Sequence, residues 1–447
     1  MSVATRSTAA ASELRETPRA PRRMMLGLGV WGLMDQALIS ATNFVTMVLV
    51  ARTLGPASFG SFALVYTVLL FSTELQGALV TQPHNVLGAG LTGLSYSRYT
   101  RSTAFSQILL AGSLGSSAFA AGLIAHGLGW RSAELLLALA PAIVAWLSQE
   151  FVRRVLYTKG RMRAVLLNDL VSYGGQAGVI VVLSSSERLD GASALLALAV
   201  TSGLAVPVGL WQLRDSFHGA ARRADVGGNW QFGKWLAGGL LAYWCASQLY
   251  LYVTAALVST AAAGLLKAAL VLMGPLNVLL VFMDTAVPIL LVRSLMASGE
   301  RGFRAQLREA LILTAPIVGT YCAVVAVFAV PLLRRVYGER YATEHSALIP
   351  LLALNYVVIY ASRLLASALR ARRLTKPIFR GHLYAGIVGV AVGWVLVRLG
   401  GVEGAALGMV AGAAVGLTVV LRAFVAGSTT LHGRPAGLER ISGDGIV

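Results

Sequence analysis

Polar side chains recur at helical spacing inside long apolar runs, and their types are those that hold hydroxyls and anions. Asp35, Thr42 and Thr46 form one stripe, and Gln36, Ser40 and Asn43 form the next. Thr67 shares a face with Glu74, Asp169 with Tyr173 and Gln176, Trp244 with Gln248 and Tyr252, and Asn277 with Asp284. Tyr356, Tyr360 and Arg363 line up in a later run, Lys267 sits inside another, and Arg52 stands at the end of the first. A charge at the centre of a membrane helix costs about 2.5–3.5 kcal/mol, so such groups should face a cavity or one another. Amides, hydroxyls and aromatic rings suit sugar, and fixed cations suit phosphate. Lys267, Arg363 and Arg52 are therefore the expected contacts for an anionic head group. Asp35, Gln36, Asn43, Glu74, Gln248, Tyr252, Asn277 and Asp284 are expected along its path.

Other roles for the same charges stay open. Arg363 can snorkel to the inner surface or pair with Asp35 or Glu74, and Arg52 can cap a loop. Asp35, Glu74, Asp169 and Asp284 can be counter-ions for Arg363, a coupling-ion site, or rim residues in contact with water. The six histidines are scattered without metal spacing, and Cys245 and Cys322 lie in apolar segments, so no metal and no cofactor is expected.

The elements that must position these groups are membrane helices. With 56% hydrophobic and 13% charged residues over 447 positions, and a mean hydropathy of +0.71, the composition excludes an ordinary soluble enzyme. Runs of about 20 apolar residues fall near 26–51, 58–80, 104–125, 133–155, 164–184 and 192–213. A second set falls near 233–257, 261–292, 309–332, 346–369, 378–398 and 403–424. The net charge of +18 does not signal nucleic acid, because the basic residues come in short groups between the runs. With the N-terminus inside, 28 Lys and Arg fall in inner segments and 7 in outer ones. One missed helix would scramble that alternation.

The expected fold is thus an all-α polytopic membrane protein, with twelve transmembrane helices in two six-helix halves. A pseudo-two-fold axis along the membrane normal would relate the halves, because each has an even number of spans. The expected divisions are a disordered cytoplasmic tail at 1–25, bundles at 26–213 and 233–424, a cytoplasmic connector at 214–232 and a second tail at 425–447. Gly55-Pro56 should turn the chain tightly between the first two spans, and Gly264 looks like the counterpart of Gly60 in the second half. Pro275 and Pro288 make the eighth span the expected bending helix.

The stretch Val48 to Leu64, VLVARTLGPASFGSFAL, resembles the opening of Wzx-type polysaccharide flippases, in the multidrug, oligosaccharidyl-lipid and polysaccharide exporter superfamily. The likeness extends to QEFVRRVLYTKGRMRAVLLND at 149–169, to Val336-Tyr337-Gly338-Glu339, to Gly400–Gly408, and to Asn229-Trp230-Gln231-Phe232-Gly233-Lys234-Trp235 at the start of the second half. The resemblance implies a flippase for a polyprenyl-pyrophosphate-linked oligosaccharide, a repeat unit of exopolysaccharide, capsule or O-antigen, working by alternating access in a bacterial inner membrane with both termini cytoplasmic. Its implied partners are the lipid-linked oligosaccharide, membrane lipids and other polysaccharide-assembly membrane proteins, with no nucleic acid. A multidrug exporter of the same superfamily is the alternative. A membrane polymerase or glycosyltransferase is disfavoured by the short outer loop at 333–345 and by the lack of a catalytic constellation, so no enzyme is expected.

Overall fold

The computed structural model describes residues 22–88, 91–341 and 347–430. The tail expected at 1–25 falls outside the described residues up to 21, and the tail expected at 425–447 does so from 431 onward. The described residues form twelve membrane-length helical spans in two lobes of six. Span 1 (22–54) and span 2 (56–87) are one helical run bent at Gly55, whose φ of 74° is a conformation that glycine adopts without steric cost. Pro56 then opens span 2, where its missing N–H leaves no hydrogen bond unmade.

Spans 3 to 6 are Gly93–Gly127, Ala133–Thr158, Met162–Ser185 and Gly191–Gln212. Asp190 caps span 6 reciprocally with Ser193, the carboxylate accepting the Ser193 N–H at 2.7 Å and the Ser193 hydroxyl accepting the Asp190 N–H at 2.8 Å. Span 7 (Arg223–Leu257) is helical from within the expected connector, because Asn229 is held against span 3 by Tyr99 and Thr103.

Span 8 breaks. Its first part, Thr260–Leu272, ends at Met273, and Pro275 starts the second part with no N–H to return to the preceding turn. Gly299 (φ 61°) divides span 8 from span 9, and Gly401 (φ 56°) divides span 11 from span 12. Span 10 is Leu348–Ala371, preceded by a short amphipathic helix, Ala329–Tyr337. Span 4 packs between spans 3 and 6 at the centre of the first lobe, and span 10 holds the corresponding place in the second. The lobes meet where span 2 crosses the first part of span 8 and where span 7 packs along spans 2 and 3.

That crossing is closer than side chains permit. A Cβ on Gly60 would lie 1.8 Å from the Thr260 carbonyl oxygen, and one on Gly264 would lie 2.0 Å from that of Pro56. The contact is reciprocal: each glycine faces the carbonyl four residues before the other. The two positions matched in the sequence therefore touch, with glycine required at both for backbone contact.

Candidate functional site

Between the lobes lies a cavity of about 820 Å³. Span 1 supplies Gln36, Ser40 and Asn43, which a helix stacks on one face at i, i+4 and i+7. Span 7 adds Gln248, span 8 adds Lys267 and Asn277, and span 10 adds Asn355, Tyr356 and Arg363. In an unbroken helix Lys267 and Asn277 would lie about 80° apart. The break before Pro275 accompanies their meeting on one wall. Lys267 has no ion-pair partner among the described residues. No Asp or Glu lines the cavity among them either, so its wall is cationic.

The remaining expected residues lie off that wall. Tyr252 donates its hydroxyl to the Leu64 carbonyl at 3.0 Å and so ties span 7 to span 2. Glu74 is exposed on span 2, within electrostatic range of Arg154 and Glu150. Arg52 is exposed beside the Gly55 turn. Asp284 stands behind Arg363: it accepts an ion-paired hydrogen bond from Arg363 and another from Arg370 at 2.7 Å. Arg363 thus pairs with Asp284, not with Asp35 or Glu74.

Asp35 is buried in a network that the sequence did not reveal. Its partner is Arg153, whose guanidinium reaches Asp35 at 2.9 Å, Glu150 at 3.0 Å and Asp169 at 2.6 Å. Tyr157 donates to the same Asp35 oxygen. Gln149 donates to Asp169 and Asn168, and Asn168 donates to the Ala205 carbonyl. Spans 1, 4 and 5 are thereby joined through one arginine whose side chain is 7% exposed, and Asn168 adds span 6. The signal available was Gln149-Glu150-x-x-Arg153, which puts an acid one helical turn before an arginine at an inner rim.

The cavity is closed at one end. Beyond the Gly60–Gly264 crossing, Tyr341 donates its hydroxyl to the Ala51 carbonyl at 2.9 Å and sets its ring edge against Phe59. Tyr337 donates to the Ala268 carbonyl at 2.9 Å. At the other end, toward the arginine-rich face, Gln36 and Asn277 are exposed. Here the first turns of span 7 close one flank, where a Cβ on Gly233 would come within 2.6 Å of the Ala78 carbonyl oxygen. Residues 36–47 of span 1 and the start of the second part of span 8 both line the cavity here. The access is therefore from the basic face.

On that face the connector is clasped to the turn between spans 4 and 5: Lys159 donates to Asp215 at 2.9 Å and Arg161 does so at 2.6 Å. Slight burial raises the Asp215 pKa, and the hydrogen bonds from Lys159, Arg161 and Ser216 more than reverse this, holding the carboxyl well below its usual range.

No protein-family model matches the sequence. No curated protein sequence matches it either. Solved structures do. An inward-facing multidrug resistance MATE family transporter of the MOP superfamily superposes with a TM-score of 0.74 at 12% identity, over 88% of this chain and 96% of that one. The chain shares the fold of that structure. The lipid II flippase MurJ, in an inward closed conformation, gives a TM-score of 0.68 at 14% identity over 89% of this chain and 87% of its own. A MOP superfamily transporter from Pyrococcus furiosus, described as having a binding pocket of reversed polarity, gives 0.63 at 12% identity over 93% and 97%. Within this fold the cavity lies between the two six-helix lobes.

Proposed function

We propose that this chain is a flippase that carries a polyprenyl-pyrophosphate-linked oligosaccharide from the inner to the outer leaflet of a bacterial inner membrane. The basic face is taken as cytoplasmic, following the excess of Lys and Arg on that side. One observation carries the reading: the interlobe cavity presents Lys267 and Arg363, with no carboxylate on the wall among the described residues. A pyrophosphate needs such cations, because an unpaired charge cannot leave water for hydrocarbon. The surrounding amides Gln36, Asn43, Gln248 and Asn277 match a glycan that needs many hydrogen-bond partners.

One structural neighbour is described as a lipid II flippase, which supports a lipid-linked cargo here. An organic cation, the cargo of the multidrug reading, would meet Lys267 without an ionic partner among the described residues and no carboxylate on that wall, the nearest being Asp284, already held by Arg363 and Arg370. Arg52, exposed at the far end, would meet the head group on release.

The test is to delete the gene in its own host and measure lipid-linked sugars by leaflet. The proposal expects one such sugar to build up on the cytoplasmic leaflet. Normal delivery of every lipid-linked sugar to the outer leaflet would reject it.

A further inference from the structure

The two cations of the cavity are unlike each other. Lys267 has no ionic partner among the described residues, whereas Arg363 is already engaged by Asp284. Asp284 is itself held twice, by Arg363 and by Arg370 seven residues further along span 10. Two guanidiniums therefore share one carboxylate, and one of them can be given up without stranding it.

Accessibility decides whether that exchange can happen. In the Arg153 network the paired side chains are 7%, 2% and 0% exposed at Arg153, Asp35 and Asp169, so no outside anion can reach them. Arg363, Asp284 and Arg370 are 29%, 21% and 31% exposed. Arg363 also lines both the main cavity and a side chamber of about 170 Å³ within the second lobe, which Arg370 lines too. The guanidinium thus has space on two sides, and its ion pair is wet enough to be weakened by screening.

We propose that Asp284 is an internal counter-ion that competes with the cargo's phosphate for Arg363, with Arg370 setting the strength of that competition. Empty, the cavity keeps Arg363 neutralised by Asp284. When an anionic head group arrives at Lys267, Arg363 turns to it and Asp284 remains paired with Arg370. Release reverses the exchange, as Asp284 reclaims Arg363 and expels the phosphate. Asp284 and Arg370 are positioning residues in this scheme, acting on the cargo through Arg363. The inference rests on the anionic-cargo reading above.

Opposite shifts in two single variants test it. Binding of inorganic pyrophosphate, and of a short-chain prenyl pyrophosphate, is measured on the purified full chain in detergent. Asp284→Asn removes the competitor and is expected to tighten binding about tenfold. Arg370→Gln leaves Asp284 to Arg363 alone and is expected to weaken binding severalfold. The double variant should bind like Asp284→Asn. A merely structural role would weaken binding in both single variants, and that result, or no change in either, overturns the inference. Lys267→Met is the separate control for the cargo reading: if the wild-type chain binds neither probe, both proposals fall. If wild type binds and Lys267→Met weakens it while Asp284→Asn does not tighten it, only the counter-ion exchange falls. Should Asp284→Asn not yield folded protein, Asp284→Ser takes its place, tightened binding supporting the exchange and weakened or unchanged binding overturning it.

Discussion

Arg153 and Arg363 show how the same residue type does different work at different depth. Arg153 sits among three carboxylates with almost no exposure, where loss of one partner leaves charge stranded in a medium that cannot solvate it. Arg153→Ala should lower stability by about 3–5 kcal/mol. Arg154, 41% exposed and paired among the described residues only with Glu150, should cost about 0–1 kcal/mol on the same change. Thermal unfolding of the purified variants in detergent reads the contrast. Lys267→Met should weaken pyrophosphate binding about tenfold, and Lys267→Arg should keep most of it, measured by calorimetry. A charge inside an apolar run nominated Lys267, and helical spacing nominated Gln36 and Asn43, for a polar path, because intramembrane polar groups have few other outlets; all three line the cavity. It could not separate Asp35, which faces a neighbouring span and not the cavity, since one helix stripe says nothing of which helix covers it. Arg153 and Arg370 read as rim charges for a related reason: a long side chain at a helix end can reach a carboxylate deeper in the bundle.

At the scale of elements, the Gly60–Gly264 crossing is the joint that seals the far end, and it leaves no room for a side chain on either helix. Gly60→Leu or Gly264→Leu should force spans 2 and 8 apart and open that end. The check is a single cysteine at Ser40, in a chain lacking Cys245 and Cys322, labelled by an impermeant thiol reagent. Labelling from the basic face is expected in the parent, and from the far face as well in the leucine variants. On the basic face, Asp215 has its folded pKa depressed, so its clasp on Lys159 and Arg161 contributes stability above the unfolded carboxylate pKa. Asp215→Asn should therefore cost the same small amount at pH 7 and pH 5. The gap should close only as the pH falls below about 3.9, which unfolding midpoints across pH will register. The Gly55 turn and the bend in span 8 were readable because glycine and proline act locally on the backbone. The early start of span 7 was not, since its first turns depend on Asn229 meeting span 3, a contact between distant parts of the chain.

For the whole molecule, twelve spans and two lobes were legible from apolar runs and from where Lys and Arg fall between them, because the cost of burying charge acts on every connection at once. Which lobe faces meet, and which end is closed, depends on side-chain contacts such as Tyr341 with Ala51 that no periodicity encodes. The resulting body is a pair of lobes sealed at the far end and joined along span 7, around a cationic cavity reached from the basic face. The flippase proposed above would require the far-end contacts to release while the basic ends close. The most direct test reconstitutes the purified chain in vesicles holding a fluorescent prenyl-pyrophosphate-linked oligosaccharide, and follows its leaflet exchange with an impermeant quencher. The account predicts exchange well above that of protein-free vesicles, lost when Lys267→Met and Arg363→Gln are combined. Exchange that persisted undiminished without both cations, or that never rose above protein-free vesicles, would contradict it.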